Sequence, residues 1–376
     1  MWGTIPVIRV NYTIGQLIKS AFVAERSDKY RKQLTEMLST YFSNKNILLT
    51  SSARSAIYQI VRSLPQRKVV VPAYTCEVVI EAVMLAEKEI VYADIDETTL
   101  NIKTYPEIDA DTIVIATHQY GIMSEVKKLA EECRAKGAVL IEDCAGSFGG
   151  RIGGRLTGTF GDYGVFSFSA SKTVHSPTKG GFIVARDKNA FDNIMPLPEI
   201  WRRPFKFKCK QIAKGIGFCL ANKRLMTSLL YKIKESEKEK EEKPINADYS
   251  YHHPMYEWQA YVVLHQFPAM DARLMERRKV FLKYHSSISN PLVQKPIMQW
   301  GGQNIRYAVL IEDRKRFIAV CLKNNIAVGQ GYHKLYCPKS CKTAHEVSRK
   351  IVYLPFGNGF SDEETDKVIE IVNAFK

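Results

Sequence analysis

Nowhere in the 376 residues does an uninterrupted apolar run reach the roughly 18 to 20 residues of a membrane span, which excludes a helical integral membrane protein. The start, MWGTIPVIRVNY, has neither a basic stretch ahead of an apolar core nor an Arg/Ser-rich amphipathic pattern. A cytoplasmic location is therefore expected. The eight cysteines form no paired framework, and the closest pair, Cys337 and Cys341, is read as lacking Cys/His partners at zinc spacing, so reduced thiols and no metal are expected. No internal repeat is present, and the only biased segment is the charged run from Glu235 to Lys243. Acidic residues are missing altogether between Trp201 and Lys234, where ten Lys/Arg supply about two thirds of the net charge of +15. The rest of the chain is only mildly basic, and no helix-turn-helix or aromatic RNA-binding pattern accompanies the charge, so nucleic acid is not expected as a partner.

What is present is an ordinary globular balance, 45% apolar and 25% charged. From Asn46 to Arg186 the text alternates short β-rich runs with helical periodicity. ILLT (47–50), VVVP (69–72), TIVIATH (112–118) and VLIED (139–143) are each followed or separated by stretches with apolar residues at helical spacing. That alternation predicts an α/β fold whose mostly parallel sheet is covered by helices on both faces. After a helix-rich stretch from Glu257 to about Ser287, RYAVLIED (306–313), IVYLP (351–355) and a terminal helix from Asp362 predict a smaller C-terminal α+β domain. The expected division is 1–255, carrying a basic helical insert at 190–245, and 256–376.

In such sheets ligands bind beyond the carboxyl ends of the strands. Polar residues stand there: Thr50, Ser51 and Ser52, His118, and Asp143. A carboxylate ending a buried strand is costly unless it meets a cation or caps a loop. Ser52 with the amides of Ala53 and Arg54 opens a helix just past a strand, a favourable place for phosphate and equally an ordinary N-cap; Arg54 could add a charged contact. Ser167 and Lys172 lie in FSFSASK (166–172), after the glycine-dense 149–164. A lysine that can form an imine, a carboxylate for a ring nitrogen and donors for a phosphate are what pyridoxal 5'-phosphate (PLP) requires of a protein.

These residues sit inside a longer pattern. SSARSAIYQ (51–59), VPAYTCEVVIEAV (71–83), ADIDETTLNI (93–102), HQYG (118–121), IEDCAGSFGG (141–150), GTFGDYGVFSFSASK (158–172), KGGFIV (179–184), EWQA (257–260) and YLPFGNGFSDEE (353–364) follow one another in order. Together they resemble the DegT/StrS-type sugar aminotransferases, a branch of the fold-type I PLP enzymes, over most of the chain except 190–245. The resemblance implies Lys172 as the lysine tethering PLP and Asp143 on the ring nitrogen. It also implies Ser167 on the phosphate and Ser52 to Ser55 as the phosphate cradle. Departures accompany it. Ala53-Arg54 replaces Gly-Thr, and Cys76 stands where an aromatic residue stacks on the ring, with Tyr74 as a substitute. Gly146 replaces a Gln or His, Lys179 replaces an acidic residue, and Pro254 replaces the arginine of a partner-subunit motif in which His252 takes the asparagine position. His118, Tyr120, Lys179, His253 and Tyr332 are the expected substrate-side residues.

The resemblance implies transfer of an amino group, from glutamate, to a keto sugar carried on a nucleotide, giving an amino sugar for a surface polysaccharide or secondary metabolite, in a homodimer. A cyclitol or lipid-linked acceptor and a non-catalytic regulatory role are the alternatives; PLP-dependent dehydration, which uses a histidine, is disfavoured by Lys172, His175 being out of register. The insert has apolar residues at 212, 216, 219, 220, 226, 229, 230 and 233 flanked by lysines. It reads as a helix packed on the large domain, as a lid for a diphosphate, or as peripheral membrane contact through 201–234.

Overall fold

The computed structural model describes residues 3–169, 172–195, 197, 205–221, 227, 253–332 and 334–376. Two helices lead in, α1 (Ile14–Ala21) and α2 (Lys29–Phe42). The strand–helix alternation follows: β1 (Ile47–Thr50), α3 (Ala53–Ser63), β2 (Lys68–Pro72), α4 (Glu77–Leu85), β3 (Glu89–Ala93), β4 (Thr112–Thr117), α5 (Val126–Lys136) and β5 (Val139–Asp143). A short hairpin, β6 (Arg151–Ile152) and β7 (Arg155–Leu156), precedes β8 (Tyr163–Ser167), β9 (Gly181–Ala185) and α6 (Lys188–Asp192). The seven-stranded sheet runs β1-β9-β8-β5-β4-β2-β3. β9 is antiparallel to both neighbours, and the pairings from β8 to β3 are parallel, so the expected mostly parallel sheet is present.

Because side chains alternate along a strand, each central strand feeds two cores. Val69, Val71, Ile113, Ile115 and Ile141 pack with Ile57, Ile60 and Val61 of α3 and with α4. Val70, Val114, Ala116 and Leu140 point the other way, onto Leu129, Ala130 and Cys133 of α5. Nearer β1, α2 lays Leu34, Leu38 and Phe42 over a group of aromatic rings in which Phe166 and Phe182 stack at 4.5 Å. Each such aliphatic side chain withdrawn from water contributes about 1.5–3 kcal/mol.

The remainder comprises α7 (Phe205–Ala221), α8 (Glu257–Leu264), α9 (Met270–Ser287), β10 (Tyr307–Leu310), α10 (Arg314–Lys323), β11 (Gly329–Gln330), α11 (Lys342–Lys350), β12 (Ile351–Leu354) and α12 (Asp362–Ala374). β10, β12 and β11 form an antiparallel sheet in that order. The amino-terminal segment belongs to this smaller unit: Ile5 bridges Ile326, and Arg9 grips Glu364 of α12 through both carboxylate oxygens at 2.9 and 2.8 Å. The long α9 serves two cores, with Met270 and Leu274 under the large sheet and Val280, Phe281 and Tyr284 under the small one.

Of the insert's apolar stripe, Ile212, Ile216 and Cys219 pack with Tyr12, Leu17 and Trp258, against α1 and α8. Leu220 is half-buried, and positions 226, 229, 230 and 233 lie outside the described residues. Among the described residues no helix is long and apolar enough to cross a membrane. One sequence reading is corrected here: His345, one turn beyond Cys341, brings its Nε2 to 3.7 Å from Cys337 Sγ, so that pair does have a histidine neighbour.

Candidate active site

The alternation that builds the cores also aims the site. Asp143 follows Ile141 on the α3/α4 face of β5, Thr117 follows Ile115 on the same face of β4, and Ser167 follows Val165 on β8. Register pairs Thr117 with Asp143 and Asp143 with Val165, so these polar groups stand side by side at the carboxyl ends of parallel strands. They border a cavity of about 330 Å3 together with Ser52, Lys172 and Arg306. The smaller unit closes its far side through Ile305, Arg306, Gln330, Gly331, Tyr332 and Tyr353.

Ser52 is the N-cap of α3, its Oγ accepting from Ser55 N–H at 3.1 Å, and Ser52, Ala53 and Arg54 bring the start of the helix to the cavity wall. Strand β9 passes so close that a Cβ on Gly181 would stand 2.7 Å from Ala53 N and 2.6 Å from Phe166 O. Ser167 Oγ accepts from Ser169 N–H at 3.3 Å on the same wall. Asp143 accepts from Ala145 N–H at 3.0 Å; burial holds its carboxyl above the usual range, opposed by that amide, by Lys172 and by His118. Burial lowers the Lys172 ammonium; Asp143 opposes this and Arg306 reinforces it. Thr117 Oγ1 is buried with no hydrogen-bond partner among the described residues. A buried carboxylate facing a lysine, an unpaired hydroxyl, and amides at a helix start kept open by a glycine fit PLP: Asp143 for the ring nitrogen, Lys172 for the aldehyde carbon, Ser52, Ala53 and Ser167 for the phosphate.

The other expected residues are placed unevenly. Cys76, the N-cap of α4, lines the cavity, its thiol pushed up by burial. Tyr74 stands behind the wall, its hydroxyl 2.7 Å from that of Tyr120 and accepting from Tyr332 N–H at 3.3 Å. Tyr120, which also bonds the Tyr353 hydroxyl, and Tyr332 border the cavity; Lys179 is exposed at its edge. Arg54 borders it too, with Nη1 2.7 Å from Glu81 Oε2, so its charge is shared with α4. His118 lines the cavity with both ring nitrogens engaged: Nδ1 accepts from Ser124 N–H, so Nε2 carries the proton and donates to Glu142 at 3.2 Å. His253 packs on Tyr256, and His252 lies outside the described residues. His175 donates through Nδ1 to Lys172 O and accepts Asn11 N–H at Nε2, with its pKa pushed down to about 4 by burial. It is a support beneath the lysine.

Sequence reasoning passed over Glu142, which alternation turns away from Asp143. Fully buried, it accepts from the amides of Gly158, Phe160 and Gly161 at 2.8, 2.6 and 2.8 Å, tying the glycine-dense loop to β5. The signal was there in the adjacent acidic pair of VLIED. His118, Glu142 and Cys144 come close enough to suggest a cation site, but the histidine and carboxylate already serve this network. Arg306 and Thr117 were also missed, since nothing local marks a residue that only folding brings to a cavity. Gly146 has a steric cause: a Cβ there would lie 2.9 Å from His118 O and 3.2 Å from Gly121 N, because the HQYG turn fills the space a longer side chain would need.

With β9 reversed among parallel strands and Lys172 and Asp143 bordering one cavity that the smaller unit closes, the fold is an α/β one with a mostly parallel sheet and a smaller C-terminal unit. The chain belongs to the DegT/DnrJ/EryC1/StrS aminotransferase family, whose model matches residues 11–373. Among curated proteins it is 27% identical over 191 residues to GDP-perosamine synthase of Vibrio cholerae, covering 49% of this chain and 52% of that one. It is 31% identical over 145 residues to UDP-N-acetyl-3-dehydro-alpha-D-glucosamine 3-aminotransferase of Acidithiobacillus ferrooxidans, covering 36% and 39%. The chain thus spans about half or less of the length of these relatives. Among solved structures, PseC of Helicobacter pylori, an aminotransferase involved in the biosynthesis of pseudoaminic acid, shares the fold at TM-score 0.74 and 16% identity, covering 99% of this chain and 98% of that one.

Proposed function

We propose that this chain is a PLP-dependent aminotransferase that takes an amino group from glutamate and delivers it to a nucleotide-linked keto sugar, making an amino sugar for a surface polysaccharide or secondary metabolite. The observation that carries the reading is Lys172 facing the buried Asp143 across a cavity entered by the start of α3. PLP, when bound, supplies an electron sink for the carbon bearing the transferred nitrogen. Lys172, its ammonium lowered by burial, is suited to hold the cofactor and, once released, to take and return a proton. Asp143 keeps the ring nitrogen protonated, and the α3 amides with Ser52 and Ser167 orient the phosphate. The nucleotide-linked acceptor is supported by the names of the two curated relatives, which specify GDP- and UDP-linked compounds.

The same reading carries a cytoplasmic homodimer, which light scattering checks. The packing of Ile212, Ile216 and Cys219 onto α1 and α8 favours a helix docked on the protein over membrane contact for the described part of the insert. We also propose that the two domains meet within α9 rather than at 255/256, because α8 packs with α1 and α2 and only the second half of α9 enters the small core.

The test is purified, PLP-loaded protein given glutamate and a panel of nucleotide keto sugars, each half-reaction followed by cofactor absorbance. Conversion in both directions is expected, and Lys172→Ala should lose the lysine-linked cofactor band and both half-reactions. Turnover of a cyclitol ketone with none of the nucleotide sugars would overturn the acceptor; a borohydride-trappable linkage persisting in Lys172→Ala would overturn the lysine assignment.

A further inference from the structure

Two residues of the cavity wall carry buried side-chain donor atoms with no hydrogen-bond partner among the described residues: Thr117, through Oγ1, and Gln119, through Nε2. Gln119 is only 2% exposed, and although it stands near the Tyr332 hydroxyl, its Nε2 makes no hydrogen bond there. An amide nitrogen buried without an acceptor is costly. One that borders a ligand cavity is accounted for when the ligand brings the acceptor.

The turn that carries Gln119 is held at both ends by one side chain. Gln119 N–H donates to Asn101 Oδ1 at 3.0 Å, and Asn101 Nδ2 donates to Ile122 O at 3.0 Å. Gly121, at φ +93, lets the turn pack on the 303–304 backbone, where a Cβ would lie 2.3 Å from Gln303 O. Gly146 brings no side chain to this part of the wall, and a Cβ there would meet the same turn, 2.9 Å from His118 O and 3.3 Å from Tyr120 N. A ligand therefore meets the Gln119 side chain on a preset backbone.

Strand order decides which edge of the cofactor this side chain meets. The phosphate residues lie on one side of Asp143: Ser167 ends β8, and Ser52 follows β1, whose neighbour β9 passes close to Ala53. Gln119 follows β4, on the other side of Asp143. In PLP the phosphate arm and the phenolic oxygen leave opposite edges of the ring, flanking the aldehyde carbon, with the ring nitrogen at the far end. With the nitrogen on Asp143 and the phosphate toward β8 and α3, the phenolic oxygen is on the β4 side. Thr117 is level with Asp143 in register, at the nitrogen end, and Gln119 lies two residues further out. We propose that Gln119 Nε2 donates a hydrogen bond to the phenolic oxygen of PLP. A donor there stabilises negative charge on that oxygen most when the neighbouring lysine-linked nitrogen has no proton to share, so it lowers the pH at which that proton is lost. The inference rests on the PLP reading.

The experiment compares the full parent chain with Gln119→Met, Gln119→Leu and Thr117→Val. Two analogues that cannot react with a lysine are titrated by fluorescence quenching: 4'-deoxypyridoxine 5'-phosphate, which keeps the phenolic oxygen, and its 3-deoxy counterpart, in which hydrogen replaces the phenolic hydroxyl. In both Gln119 variants the Kd of the first should rise about 10-fold, and that of the second should stay within about threefold of the parent. The pH at which the lysine-linked PLP band changes should rise by about one unit. The cofactor-free variants should keep the parent's urea midpoint, because the unpartnered amide contributes nothing to the empty fold. An equal loss with both analogues, with or without a lower urea midpoint, would overturn the assignment. So would an unmoved or lowered band midpoint, or the same analogue and band effects appearing in Thr117→Val instead. If PLP forms no lysine-linked band in the parent, the function reading fails, while the analogue titrations still decide whether Gln119 is the donor; a parent that binds neither analogue overturns both.

Discussion

Glu142→Gln is a near-isosteric change with a large expected cost. The carboxylate has four donors around it: Phe160 and Gly161 amides on Oε1, Gly158 amide and His118 Nε2–H on Oε2. A glutamine oxygen can replace only one carboxylate oxygen. Placed at Oε1, it leaves the Gly158 and His118 donors facing an NH2 group; placed at Oε2, it does the same to Phe160 and Gly161. His118 cannot relieve the conflict by changing tautomer, since its Nδ1 is needed to accept Ser124 N–H. Two donors are therefore unpaired in either orientation, at about 1–3 kcal/mol each, or about 2–6 kcal/mol in total. No longer burying a charge offsets part of this, leaving roughly 2–4 kcal/mol. Urea unfolding followed by far-UV circular dichroism and tryptophan fluorescence, with both probes agreeing on one transition, measures it. Glu131→Gln, on the exposed side of α5, is the control and should stay within about 0.5 kcal/mol. An equally small effect for Glu142→Gln would refute the network as described.

Gly181→Ala should weaken PLP binding and lower stability by about 1–3 kcal/mol, because the added methyl meets backbone atoms of Phe166 and Ala53 that cannot step aside. Cofactor titration by fluorescence reads it, and parent-like affinity would refute the cradle. The Asp143 carboxyl, raised by burial in the folded chain, stabilises the fold below the unfolded value of about 3.9, and that stability is lost as pH rises through the folded pKa. Asp143→Asn removes this loss. The cofactor-free variant should be the more stable at neutral pH, with a flatter acid profile in urea unfolding, yet bind PLP more weakly; a parent-like pH profile would refute the burial argument.

Much of the fold was legible because its physics is local. The β-branched runs VVVP, TIVIATH and VLIED are apolar on both sides, as strands covered on both faces must be, and they appear as β2, β4 and β5 within a residue at each end. The site was legible where a residue's role depends on its position along the strand. Asp143, Ser167 and Ser52 lie at strand ends or a helix start, and alternation alone puts them where ligands bind. For Tyr74, expected as a substitute beside the ring, the two-residue offset from Cys76 says nothing of direction; in the folded chain the hydroxyl chain to Tyr120 and Tyr353 holds it behind the wall.

By itself, then, the sequence determined the strand–helix order, the two-face burial of the sheet, and a lysine, a carboxylate and a helix start at its carboxyl edge. Each depends on periodicity or neighbours a few residues away. Tertiary structure alone decided that Glu142 turns from the cavity to hold the glycine loop, that Arg54 shares its charge with Glu81, and that Arg306 joins Lys172 on the wall of one cavity. These depend on contacts between residues far apart in the chain. Segments 118–121 and 303–306 meet through a single glycine's worth of space, and only the folded chain brings them that close.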